Sequence, residues 1–296
     1  MPNAGGETSM TLLLGKHTTH NRKMCGSGYK MTRPIKNILE DIRKTLVQLG
    51  ITVVRPAGTV DTICRSLWAR DSTVYINGKI VLLPGFSRGR RDEWMTHPGR
   101  QRGMKISDPD YLLVPETPEN VEGGDVIQVG DTILLGIGKR TNIAGMKWLA
   151  KKFPAKTIIP VPHCALHLDC CLTVLPRPPG SDGALGARTK LPVIYSTRYI
   201  YDLPEAVTNM FETLSLESII GRKVVSNLAT NILMIKQADG RYSLVTTDQA
   251  KFRKFRKYLR EQGYSVHEIK YGNMWRYGGG IRCLTQWIEP GDTWIL

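Results

Sequence analysis

The sequence predicts a single α/β domain built as a ring of five strand, strand, helix, strand units. Two observations predict it. Hairpin signals occur at Asn77-Gly78, Gly130-Asp131 and Asp239-Gly240, and the steps of 53 and 109 residues between them are close to one and two lengths of a common repeat. A helical periodicity and then a short apolar run follow the later hairpins in the same order. The 296 residues, 41% hydrophobic and 23% charged, suffice for a full core and exclude disordered, collagenous and coiled-coil chains.

Residues 1–33 mix Gly, Ser, Thr, Asn and Lys with little periodicity, so a poorly ordered arm is expected there and a domain over 34–296. The run Thr11-Leu12-Leu13-Leu14 is too short for a signal-peptide core. No apolar run approaches the roughly 20 residues that span a bilayer, so a cytoplasmic protein with no membrane partner is expected. The cysteines at 25, 64, 164, 170, 171 and 283 follow no framework spacing, which favours reduced thiols over disulfides.

Pro34 opens a helix with apolar residues at Ile35, Ile38, Leu39, Ile42, Leu46 and Leu49, closed by Gly50 and followed by a strand at 51–55. A hairpin spans Ser72–Leu83, and the arginine-rich run Arg88–Arg102 reads as a mobile basic loop that could act as a lid. The second hairpin leads to a helix at 141–153 and a strand at 157–161. A third unit is placed at 171–195, where Pro176–Gly186 joins two apolar runs, with a helix at 203–216 and a strand at 222–226. The hairpin at Asp239-Gly240 precedes a helix at 248–262, whose basic stretch Lys251–Arg260 sets Phe252, Phe255 and Leu259 on one face, and a strand at 264–269. A last strand at 282–288 begins a fifth unit that the opening helix and strand complete.

In a ring, each unit can send one residue to the axis, so chemistry should recur about once per repeat. Four stretches fit: Arg70-Asp71; Glu122-Gly123-Gly124-Asp125; His167-Leu168-Asp169; and Gly278-Gly279-Gly280-Ile281-Arg282-Cys283. From Asp71 to Glu122 to His167 to Cys283 the steps are 51, 45 and 116 residues, or one, one and two units.

These stretches, with Gly136-Ile-Gly-Lys-Arg140-Thr-Asn142, resemble the guanidino-group-modifying enzymes of the pentein superfamily: arginine deiminases, dimethylargininases, agmatine deiminases and amidinotransferases. The resemblance covers about residues 34–296 and implies a five-bladed ββαβ propeller. The chemistry suits the residue types. A guanidinium carbon is a poor electrophile that calls for a thiolate, and Cys283 is the expected nucleophile. His167 is expected to protonate the departing amine and then activate water. Asp71, Glu122 and Asp169 match the N–H fork of a guanidinium. Gly280 would allow close approach of the backbone to substrate, and Gly123 and Gly124 would serve the backbone beside Glu122. Arg140, by the resemblance, holds a substrate α-carboxylate, which favours an amino acid over agmatine.

The resemblance therefore implies an arginine deiminase-like hydrolase that releases ammonia and citrulline from arginine or a close analogue. Its alternatives are an amidinotransferase that passes the group to an amine, a dimethylargininase-like hydrolase and an arginine dihydrolase. An acid at Asp169, beside the distal nitrogens, favours an unmethylated guanidinium. His163, Cys164, His167, Cys170 and Cys171 lack the paired spacing of a zinc site, so neither metal nor cofactor is expected. The 41 basic and 26 acidic residues give a net charge of +15, a field that attracts nucleic acid. A basic ribosome- or RNA-binding pentein without catalysis is accordingly the alternative of a different class, less favoured than a small guanidino substrate. The sequence gives no oligomeric state.

Overall fold

A computed structural model describes residues 11–14, 32–55, 67–85, 90–96, 109–115, 118–177, 190–222, 228–237 and 239–287. Its first elements are strand β1 (Thr11–Leu14), helix α1 (Ile35–Gln48) and strand β2 (Thr52–Val54). A short helix α2 (Ala69–Ser72) runs into the hairpin β3 (Thr73–Ile76) and β4 (Lys79–Leu82), followed by β5 (Tyr111–Leu113). Next come β6 (Val126–Val129), β7 (Thr132–Ile137), α3 (Ile143–Lys152) and β8 (Thr157–Pro162). The third group is β9 (Leu172–Val174), β10 (Leu191–Tyr195), α4 (Glu205–Met210), β11 (Phe211–Ser215) and α5 (Leu216–Ile220). The last is β12 (Leu233–Lys236), β13 (Tyr242–Thr247), α6 (Arg253–Glu261), β14 (Ser265–Ile269) and β15 (Thr285–Trp287).

The described strands form five three-stranded sheets with one pattern. In each, an inner strand pairs antiparallel with a middle strand, and the middle strand pairs parallel with an outer one: β3-β4-β5, β6-β7-β8, β9-β10-β11, β12-β13-β14 and β15-β1-β2. Antiparallel neighbours need only a tight turn, whereas parallel neighbours need a crossover, and helices supply it in four of the five sheets. The first hairpin turns on Asn77 and Gly78 at φ 47° and 79°, the left-handed pair that a two-residue turn between twisted strands requires. Helix α1 packs Ile38, Ile42 and Leu46 into the same core as Phe252, Phe255 and Leu259. Val74, Val81, Ile133, Leu135 and Leu149 form a second core. Arg253, Lys254, Lys257 and Arg260 of α6 stay exposed, as its sequence pattern implies. Among the described residues, no helix is long and apolar enough to cross a membrane.

Two expectations are corrected. Residues 11–14 are not an arm: β1 is the middle strand of the closing sheet, with Leu12 opposite both Trp287 and Val53. Thr32 is tied to Asn273 and Arg33 to Lys270 and Asp41 as well; residues 1–10 and 15–31 lie outside the described residues. The predicted helix at 203–216 stops at Met210, because residues 211–215 pair in parallel register with all of β10, and the ladder overrides local periodicity. Most of the strand predicted at 222–226, and of the Pro176–Gly186 connection, lies outside the described residues.

A middle strand carries backbone hydrogen bonds on both edges. Leu13→Pro removes one donor and should lower the thermal midpoint well below that of Leu13→Val, measured by calorimetry; equal midpoints would show that the closing sheet does not depend on β1.

Candidate active site

Each inner strand is preceded by a short turn, and these five turns bring the expected residues together. Asp71 lies on α2 before β3, Glu122 precedes the 3-10 turn Gly123–Asp125 before β6, and His167 precedes the turn Leu168–Cys170, which carries Asp169, before β9. Cys283 lies on the turn Arg282–Leu284 before β15. Neighbouring turns abut. Arg70 Nε lies 3.5 Å from the Arg282 carbonyl, linking the first turn to the last.

His167 sits at the centre. Its Nε2 meets Glu122 Oε2 at 2.6 Å and its Nδ1 lies 3.6 Å from Asp71 Oδ1, with all three side chains buried. Burial alone would push the imidazole down. The facing Asp71, the hydrogen bond to Glu122, and the charges of Asp125 and Glu122 instead hold it well above its usual range. Burial likewise opposes the Glu122 carboxylate, but the His167 hydrogen bond and the charges of His167, Arg90 and Arg140 outweigh it and lower the group to about 2. Asp169 differs. Burial raises its carboxyl against the pull of His167 and Arg282, whose Nε stands 3.7 Å from Asp169 Oδ2. Asp71 Oδ1, His167 Nδ1 and Asp169 Oδ2 are buried and have no hydrogen-bond partner among the described residues.

Asp125, part of the quoted motif but given no role from sequence, is the scaffold of this cluster. Its Oδ1 accepts from the Leu168 amide at 2.8 Å and meets His163 Nε2 at 3.0 Å, which fixes the backbone next to His167. Its Oδ2 accepts from Thr141 Oγ1 at 2.7 Å, and that hydroxyl accepts from the Glu122 amide at 3.1 Å. Gly124 is required by proximity, since a Cβ there would stand 2.6 Å from His167 Cγ. Gly123 lies as close against the Arg70 carbonyl and Gly280 against the Asn231 side chain. The absent side chains therefore serve approach of one part of the protein to another.

Sequence reasoning missed Asn231. Its Nδ2 donates to Cys283 Sγ at 3.1 Å and to the Asp169 carbonyl at 3.3 Å, while its Oδ1 accepts from the Cys283 amide at 3.2 Å. It precedes β12 as the other four turns precede their inner strands. It divides the 116-residue step between His167 and Cys283 into 64 and 52, so the repeat that found the others also pointed to a polar residue here.

Arg90 corrects the reading of Arg88–Arg102 as a mobile loop. It is buried, with Nη1 2.7 Å from Asp71 Oδ2 and Nη2 2.8 Å from Glu93 Oε2; burying a guanidinium is affordable only between such carboxylates. Arg88, Arg100 and Arg102 lie outside the described residues. Arg140 reaches the cluster, with Nη1 3.4 Å from Glu122 Oε1 and its side chain 20% exposed. Two sets of metal-ligand type, Asp71 with Glu122 and His167, and His167 with Asp169 and Cys170, each lie within 4.8 Å. Both use His167.

The two shifts have opposite pH signatures. Glu122 falls from 4.5 to about 2 on folding, so its contribution is present above pH 4.5 and is lost as pH falls toward 2. His167 rises above 6.5, so its contribution is complete below pH 6.5 and is lost as pH climbs through the raised value. Glu122→Gln should destabilise the protein at pH 7 by about 3–5 kcal/mol, the cost of leaving a buried charge without its partner. In urea unfolding, its difference from wild type should shrink below pH 4.5; a difference independent of pH would contradict the pairing.

Residues 35–178 match the arginine deiminase family. An uncharacterized protein of Bacillus subtilis, YkgA, is 26% identical over 175 residues, 58% of this chain and 54% of that protein. A dimethylarginine dimethylaminohydrolase of Streptomyces coelicolor is 42% identical over 62 residues, 20% of this chain and 24% of that enzyme. The chain thus spans about half the length of the first relative and a quarter of the second. Among solved structures, SxtG, an amidinotransferase from Microseira wollei in the saxitoxin biosynthetic pathway, superposes with a TM-score of 0.70 at 15% identity, covering 95% of this chain and 94% of that one. Residues 35–178 are thus similar to the arginine deiminase family, and the fold over 95% of the chain is similar to that of SxtG.

Proposed function

We propose that this protein is a guanidino-group hydrolase acting on arginine or a close analogue. The observation that carries the reading is the meeting of a thiol, an imidazolium and three carboxyl groups from separate turns in one buried cluster, with Asp71 Oδ1 and Asp169 Oδ2 free of hydrogen-bond partners among the described residues. Two carboxyl oxygens of this kind match the N–H edges of a planar cation. The five sheets are read as five blades of a ring over residues 34–296, joined by β1, with the inner strands nearest the axis.

In this reading, Asp71, Glu122 and Asp169 orient the guanidinium, and Arg140 takes the α-carboxylate. The Cys283 thiolate adds to the central carbon and forms a C–S bond. His167, held protonated by its carboxylates, gives its proton to one nitrogen; the C–N bond breaks, ammonia leaves and a thiouronium remains on Cys283. Water then adds to that carbon, passing a proton to His167. The C–S bond breaks and returns the thiolate, the oxygen's remaining proton leaves with ammonia as ammonium, and the product carries the urea group of citrulline. Asn231 holds the sulfur and its own amide in line throughout.

The likeness to SxtG supports a second reading, amidino transfer, in which the amino acid product leaves first and an amine takes the place of water. Incubation with arginine, with and without glycine as acceptor, separates the two by assay of ammonia, citrulline and ornithine. Hydrolysis predicts citrulline and ammonia in equal amounts without acceptor; ornithine appearing only with the amine would replace it with transfer. Cys283→Ser should abolish turnover while circular dichroism stays unchanged, and retained turnover would remove the nucleophile assignment.

A further inference from the structure

One buried thiol takes no part in the proposed reaction. Cys170 has its Sγ 3.5 Å from Asp169 Oδ1, and Cys283 is the first cause of the upward push on its thiol. The backbone agrees with this placement. Asn231 Nδ2 lies between Cys283 Sγ at 3.1 Å and the Asp169 carbonyl at 3.3 Å, and that carbonyl is bonded to the Cys170 nitrogen. Cys171 turns away, its Sγ directed to the carbonyls of Leu168 at 3.4 Å and His167 at 3.8 Å. Cys164 is exposed, beside the Arg198 carbonyl and the Tyr201 hydroxyl. Of the other described cysteines, Cys170 is the one whose thiol is shifted by Cys283.

We propose that Cys170 is the resolving thiol of Cys283, so that peroxide converts the pair into a disulfide that stops catalysis reversibly. The Cys283 thiolate attacks one oxygen of hydrogen peroxide, the O–O bond breaks, and with one proton the products are water and a Cys283 sulfenic acid. The Cys170 sulfur then attacks the oxidised sulfur. The S–O bond breaks, the Cys170 proton leaves with the hydroxide as a second water, and an S–S bond joins the two residues. Both sulfurs are oxidised by one electron each, and the peroxide is reduced to two waters. The hydrogen bond to Cys283 and burial both push the Cys170 thiol up, so its sulfur sheds the proton only as it attacks, and that proton leaves with the departing hydroxide. Without such a partner, a sulfenic acid proceeds to sulfinic acid, which a thiol reductant does not reverse.

The inference goes beyond hydrolysis and does not require it, because its main readout is a mass. The full-length protein is treated with hydrogen peroxide, its remaining thiols are alkylated, and its peptides are mapped by mass spectrometry. The expected product is a Cys170–Cys283 crosslinked peptide, two hydrogens lighter than its parts, with loss of turnover that a dithiol reductant restores. Cys170→Ser should keep its basal turnover, accumulate Cys283 sulfinate under the same treatment and fail to recover on reduction. Cys283 crosslinked to any other cysteine, or Cys283 sulfinate in the wild type beside a free Cys170 thiol, would overturn the proposal. Should the variant fail to fold, the wild-type peptide map decides alone. A chain that forms the crosslink but turns over no guanidino compound keeps this inference and loses the proposed function.

Discussion

Glu122 meets His167 Nε2 at 2.6 Å inside the protein, and the site is organised around keeping that imidazole charged. A buried charge without a partner costs several kcal/mol. Here Glu122, Asp71 and Asp125 supply the compensating field, and each is held in turn: Asp71 by Arg90, Glu122 by Arg140 and through its amide by Thr141, and Asp125 by Thr141, His163 and the Leu168 amide. Small residues let these groups close on one another, as at Gly124, whose position leaves no room for a Cβ beside the His167 ring. The result is an imidazole held protonated, set among carboxyl groups that suit the cationic substrate proposed above.

The net charge of +15 repels such a substrate at long range, and screening over about 8 Å at physiological salt confines that repulsion. Inside the cluster the balance differs, because Asp71, Glu122 and Asp169 dominate at contact distance. The fold makes this separation affordable to build. Five similar sheets each begin a strand from a short turn, so every turn can place one polar group among the others, while Arg253, Lys254, Lys257 and Arg260 of α6 stay exposed. The same turn carries Cys170, one residue beyond Asp169.

Much of this was legible in the sequence where the signal is local or periodic. Asn77-Gly78 demanded a left-handed turn, the apolar spacing from Ile35 to Leu46 described one helix face, and Asp71, Glu122, His167 and Cys283 followed the repeat. What escaped was non-local or lacked a side-chain signature. The four residues of β1 look like any short apolar run, and their partner Trp287 lies at the far end of the chain. Helix and strand are ambiguous over 203–216 until β10 provides a ladder. Arg90 sits in a basic run whose composition suggests solvent, and only its two carboxylate partners reveal that it is buried. Asn231 was overlooked because an amide is chemically inert by type; its position in the repeat, not its chemistry, marked it.

The most direct test of the account is a titration of the His167 imidazole itself, by nuclear magnetic resonance of protein with isotopically labelled histidine, assigned with a His167→Gln variant. The account predicts a ring that is fully protonated at neutral pH and loses its proton only well above the usual 6.5. A His167 ring that is neutral at pH 7 would contradict it.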